Sequence, residues 1–259
     1  MKKTLTLLAT LCLVTGAQAC RNATASQAAL TNPATTAAAS ASDDTIHRPD
    51  VDISDLHALN VESGATIIYH TGPKPRIVVH ASEEEYQQTD ISCEGGVLTI
   101  REKPGNSRQY IPGCTYYITT PALSHIDVKG HLKFVASERV ALPEMTWDVK
   151  GALSLDMDEA EIKDFKMDIS GAASLDLNLS ETELCEIDVK GAGSGYIDLS
   201  GSECAVRMWG ASSMTLNVDC RTLNVVNRGA GTLRITGLAD SVNLDGSGVT
   251  TIDVTGLNR

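Results

Sequence analysis

One segment, IDVKGAGSGYIDL at residues 187–199, has relatives throughout the second half of the chain. An alternating stretch leads to a glycine, and a second alternating stretch follows. The same pattern returns as HIDVKGHLKFVA, WDVKGALSLDM, MDISGAASLDLNL, VRMWGASSMTLNV, VVNRGAGTLRI and VNLDGSGVTTIDV. Its glycines are Gly130, Gly151, Gly171, Gly191, Gly210, Gly229 and Gly246, at spacings of 21, 20, 20, 19, 19 and 17 residues. Self-similarity at such a period marks units that each bury an apolar side against their neighbours.

Within each repeat the apolar period is 2, which selects strands over helices. Four residues before the glycine stand Ile126, Trp147, Met167, Ile187, Val206, Val225 and Val242; two before it stand Val128, Val149, Ile169, Val189, Met208, Asn227 and Leu244. These positions point inward. Between them Asp127, Asp148, Asp168, Asp188, Arg207, Val226 and Asn243 mostly face water. Glycine suits a corner because it reaches positive φ at no steric cost. The expectation is an all-β chain wound as a single-stranded parallel β-helix, a solenoid with coils of about 19–20 residues.

The chain opens differently. Lys2 and Lys3 precede an apolar run, Leu5–Val14, and then Ala17-Gln18-Ala19, so residues 1–19 read as an export signal. The run is too short to span a bilayer. Cys20 stands directly after the cleavage point and is the expected lipidation site, with plain secretion as the alternative. Residues 20–48 are rich in Ala, Ser and Thr, cannot bury a core, and read as a flexible tether. The folded domain is expected over 50–259, with 50–123 forming wider first coils. This architecture implies an outer-membrane lipoprotein, on the surface or the periplasmic side, or else a secreted or periplasmic protein. The membrane would be met only through the lipid. The 259 residues carry a formal net charge of −12, which argues against a nucleic-acid partner.

Three further segments, VESGATIIYHTG, GGVLTI and TTPALSHIDVKG, precede the tandem repeats. With the export signal and the glycine corners they resemble the auto-transporter adhesin head domain, or head GIN domain, of Bacteroidetes envelope proteins. The resemblance covers roughly residues 52–255. It implies a right-handed β-helix-like fold, an envelope location and adhesin-like binding, and it brings no catalytic signature. Two positions depart from the pattern: Asn227 sits in an inward row, and Gly195 stands where a strand expects a large apolar residue.

Candidate chemistry is sparse. The aligned carboxylates of Asp127, Asp148, Asp168 and Asp188 have the oxygen chemistry of a Ca²⁺ row, but Lys129, Lys150 and Lys190 share their face and neutralise it. No metal or other cofactor is expected. Cys185 and Cys204 occupy equivalent inward positions on adjacent repeats, within reach of a disulfide; Cys93–Cys114 is a second candidate pair, and Cys220 is left over if Cys20 carries lipid. A polysaccharide-active enzyme would need acids and bases converging in one cleft. Here the acids form rows, and His47, His57, His70, His80, His125 and His131 are scattered, so no catalytic residue is assigned. The candidate ligand face is Trp209 with Arg207, Arg228 and Tyr196, aromatics beside arginine that suit a surface glycan or a protein partner. The reading is a non-catalytic envelope binding protein, with a periplasmic scaffold or stress-related protein as the alternative and homo-oligomers left open.

Overall fold

A computed structural model describes residues 45–104 and 113–258. The expected export signal, the lipidation site Cys20 and most of the expected tether lie outside the described residues. Strand β1, Thr45–His47, pairs with a later strand, so the last four residues of the stretch expected as tether, 45–48, belong with the folded domain.

Eight strands precede the long repeat region or open it: β1, β2 (Ala58–Val61), β3 (Gly64–Thr71), β4 (Arg76–Ala81), β5 (Thr89–Glu94), β6 (Val97–Glu102), β7 (Thr115–Thr120) and β8 (His125–Ala136). Strand β9 runs from Val140 to Asn258. A short helix, α1 (Glu83–Gln88), joins β4 to β5. It starts in a capping box: the Ser82 backbone N–H donates to the Glu85 carboxylate at 2.9 Å, and the Glu85 N–H donates back to Ser82 Oγ at 3.3 Å.

The strand order is β1-β4-β7-β3-β8-β2-β6-β5, with β9 on β8. Strand β8 is long enough to carry two partners end to end: β2 lies along residues 125–128 and β3 along 131–135, both parallel to it. Three pairs, β1–β4, β4–β7 and β5–β6, are antiparallel. The expected single-stranded right-handed parallel β-helix is therefore corrected. The molecule is an all-β mixed sheet, parallel and antiparallel, curled into a half-barrel. A repeat spacing read from the second half is silent about the first 80 residues of the domain, where a reversal at Gly72–Pro75 that leaves room for β7 between β3 and β4, and a β5–β6 hairpin at Gly95-Gly96, replace the repeat.

The repeat spacing does encode register. Strand β8 pairs with β9 so that Ile126 faces Trp147, Val128 faces Val149 and Gly130 faces Gly151. Farther on, the glycine backbones of successive repeats touch: a Cβ on Gly171 would meet the Gly151 carbonyl oxygen at 1.9 Å, and one on Gly191 the Gly171 oxygen at 2.0 Å. These glycines hold φ between 139° and 147°, a conformation that L side chains avoid. In the last repeat the residue stacked on Gly229 is Gly248, not the expected Gly246. The spacing is thus 19 from Gly210 to the end; a shift of two preserves the alternation, and Val242 and Leu244 stay inward, half-buried against the core.

The inward rows form one apolar cluster. Ile126, Trp147, Met167, Ile187, Val206 and Val225 are all buried, as are Val128, Val149, Ile169, Val189 and Met208. Trp147 stands edge-on to Phe134, ring centroids 5.0 Å apart, and Tyr69 stacks on the other side of Phe134 at 5.8 Å. The Tyr69 hydroxyl donates to the Thr120 carbonyl, satisfying its one polar atom in the core. Asn227 is fully buried in an inward row, yet its amide is paired: Ser212 Oγ donates to its oxygen at 3.2 Å, and its nitrogen donates to Thr250 Oγ1 at 2.6 Å.

Candidate functional site

Outward positions on the stretch before each glycine build a charged sheet surface. Their side chains sit one strand spacing apart, about 4.8 Å, so a residue reaches its equivalent in the next repeat. Lys190 Nζ lies 2.8 Å from Asp168 Oδ2, Arg207 Nη1 3.4 Å from Asp188 Oδ2, and Arg228 Nη2 2.7 Å from Asp245 Oδ2. Lys129 and Lys150 reach the aspartates two residues before them, at 3.8 and 3.3 Å. The aspartate row is thereby cross-linked by cations.

Trp209 is the one aromatic in this lattice. It is half-buried, and it stands in register between Lys190 on the preceding repeat and Arg228 on the following one. Lys190 Nζ lies 6.0 Å from its ring centroid, at the outer limit of a cation–π contact. Arg207 sits two residues before it and also approaches Glu186, at 3.8 Å. Each cation around the indole is already held by a carboxylate, so the patch is close to charge-balanced. It can offer a flat apolar plate within a ring of fixed hydrogen-bonding groups.

Tyr196 does not join this patch. It lies beyond the glycine corner, 42% exposed, and its hydroxyl donates to Asp198 Oδ2 at 3.3 Å. Its surroundings are acidic. Partial burial, then the nearby Asp198 and Asp176 charges, push its hydroxyl pKa up. Burial first, then Asp158 and Asp176, likewise raise the Asp156 carboxyl above its ordinary range. The four residues of the expected face therefore divide into a balanced tryptophan patch and a tyrosine in an acidic one.

Between these two surfaces runs a feature the motif search missed, a trough of about 690 Å³. Its floor is a column of alanines, Ala152, Ala172, Ala192, Ala211 and Ala230, flanked by serines such as Ser174 and Ser194. The signal was readable: the residue after each corner glycine is alanine in five successive repeats.

Cys185 and Cys204 are buried neighbours on adjacent repeats, close enough that the Cys204 thiol, and then burial, push the Cys185 thiol well up, and both are free thiols in this structure rather than the expected disulfide. Cys220 is close by, its thiol pushed up to about 12 by burial and by Cys204. Cys93 and Cys114 are also free thiols, and they do not meet. Cys114 Sγ contacts Thr89 Oγ1 at 3.5 Å, whereas Cys93 lies four residues farther along β5, a separation of about 13 Å. Among the described residues no group of three or more His, Cys, Asp or Glu converges on a point that could hold a metal ion.

The model of the family described as "Putative auto-transporter adhesin, head GIN domain" matches residues 55–200. Among solved structures, a putative adhesin from Bacteroides fragilis superposes with a TM-score of 0.59 at 14% identity, covering 81% of this chain and 96% of its own. Putative adhesins from Parabacteroides merdae (TM-score 0.55, 14% identity, 81% and 95% covered) and Parabacteroides distasonis (0.54, 15%, 82% and 98%) share the fold as well. No curated protein matches the chain. With the family model spanning more than half of its length, this chain belongs to the auto-transporter adhesin, head GIN domain family.

Proposed function

We propose that this protein is a non-catalytic binding protein of the cell envelope, exported by residues 1–19, anchored through lipid on Cys20 and displayed on the Ala/Ser/Thr-rich tether. Membership of an adhesin family supports an exported, adhesive role. The observation that carries the binding mode is the Trp209 patch. An indole plate is held rigidly between Lys190 and Arg228 by register, and the surrounding charges are fixed by Asp168, Asp188 and Asp245. Pre-organised side chains on a strand lose little entropy on binding. Charge balance suits an uncharged sugar face or a polar protein surface that stacks on the ring.

The test is binding of the purified domain to arrays of envelope glycans and to envelope proteins, repeated with Trp209→Ala. Substitution should weaken capture of any ligand held on this face about tenfold or more, since hot-spot aromatics contribute about 2 kcal/mol or more. Equal capture by both proteins would remove this face from the account.

A further inference from the structure

A second site lies where β3, β7 and β4 run side by side. Register sets the row His70–Thr119–Arg76 across the three strands and, two residues along, the row Ile68–Tyr117–Val78. Side chains alternate, so both rows stand on one face. They enclose a hollow of about 270 Å³ whose floor is the Tyr117 ring and Val78, and His80 closes it with its ring 4.6 Å from that of Tyr117.

The electrostatics here differ from the tryptophan patch. Among the described residues, Arg76 makes no ion pair or hydrogen bond, and neither does Lys74, two residues earlier in the β3–β4 loop. The Tyr117 and Thr119 hydroxyls are likewise unengaged. A carboxylate at the rim, Glu138, lies 3.2 Å from His70 Nδ1. In a chain of net charge −12, an unpaired guanidinium beside an aromatic floor leaves this hollow a donor fork for an acidic group. On the outward face of the repeats, by contrast, Lys129, Lys150, Lys190, Arg207 and Arg228 are each held by a carboxylate.

We propose that this hollow binds a carboxylated pyranose, a uronic-acid unit of an acidic polysaccharide. The apolar C–H face of the ring would lie on Tyr117 and Val78, the carboxylate would pair with the Arg76 fork, and the sugar hydroxyls would meet Thr119 and the histidines. A planar guanidinium matches a carboxylate bidentately, and tyrosine supplies a stacking plate with a polar edge. The site is separate from the Trp209 patch and independent of it.

The experiment is calorimetric titration of the full-length protein with oligogalacturonate, with neutral oligosaccharide of the same length and with sodium sulfate as controls. Saturable binding of oligogalacturonate is expected, at least tenfold tighter than of the neutral chain. Arg76→Gln should weaken it about ten- to a hundredfold, in keeping with loss of a charged hydrogen bond, and Trp209→Ala should leave it unchanged. Arg76 is exposed, so its replacement leaves the core intact, which circular dichroism verifies. Absence of saturable binding, equal affinity for the neutral chain, sulfate binding as tight as the sugar, or full affinity in Arg76→Gln would each overturn the assignment.

Discussion

At Gly195 a methyl group would have to share space with the Leu175 carbonyl oxygen, 1.9 Å away, and the backbone there holds φ at 138°. An alternating pattern expects an apolar side chain at this place, and the close approach of two backbones forbids it. Gly195→Ala should therefore cost about 3 kcal/mol, by the strain at its φ and the clash together. Gly246, which loses the corner to Gly248, has only the tip of Ile252 within 3.1 Å, so Gly246→Ala should shift stability by under about 1 kcal/mol. Chemical denaturation of the two variants separates them. Asp156 gives a pH signature. Burial and the neighbouring Asp158 and Asp176 raise its carboxyl in the folded chain, so folding favours the protonated form. Its stabilising contribution is present below the unfolded value, about 3.9, and is lost as pH rises through the raised folded value. Asp156→Asn should be more stable than the parent at pH 7 and indistinguishable from it at pH 3, as read by urea melts.

The repeated stretch is where sequence and structure agree most closely. Alternation placed Trp147 and the other residues four and two before each glycine in the core, because a strand with one buried face has a single way to turn. It also placed Trp209 outward. The errors have physical causes. Period analysis cannot see antiparallel pairing between short strands separated by loops, so β1–β4, β4–β7 and β5–β6 went unforeseen. Tyr196 follows its corner glycine and Trp209 precedes its own, so the sequence already set them on different strands; that their surroundings differ in charge only the packing shows. For the cysteines, equal phase on adjacent repeats brought Cys185 to Cys204, while Cys93 and Cys114, outside the repeat, had no such constraint. Treatment with diamide followed by non-reducing peptide mapping should link Cys185 to Cys204 and leave Cys93 and Cys114 unlinked to each other. A Cys93–Cys114 peptide would contradict the β5 register. Ion pairs on the outward face are largely exposed, so Lys190→Met should change stability by less than about 1 kcal/mol even though it removes the Asp168 contact.

The described residues form a mixed sheet with two chemically distinct outer faces, a charge-balanced one around Trp209 and one around Arg76 that holds an unpaired guanidinium. Neither face matters unless it meets the outside of the cell, so display is the central claim. Protease shaving of intact cells, with the membrane fraction assayed for lipid on Cys20, tests it most directly. The account predicts that protease added outside releases a folded fragment beginning near Thr45, cut from a lipid-bearing stub. Protection of the whole chain until the outer membrane is permeabilised would contradict it and place the protein among periplasmic scaffolds.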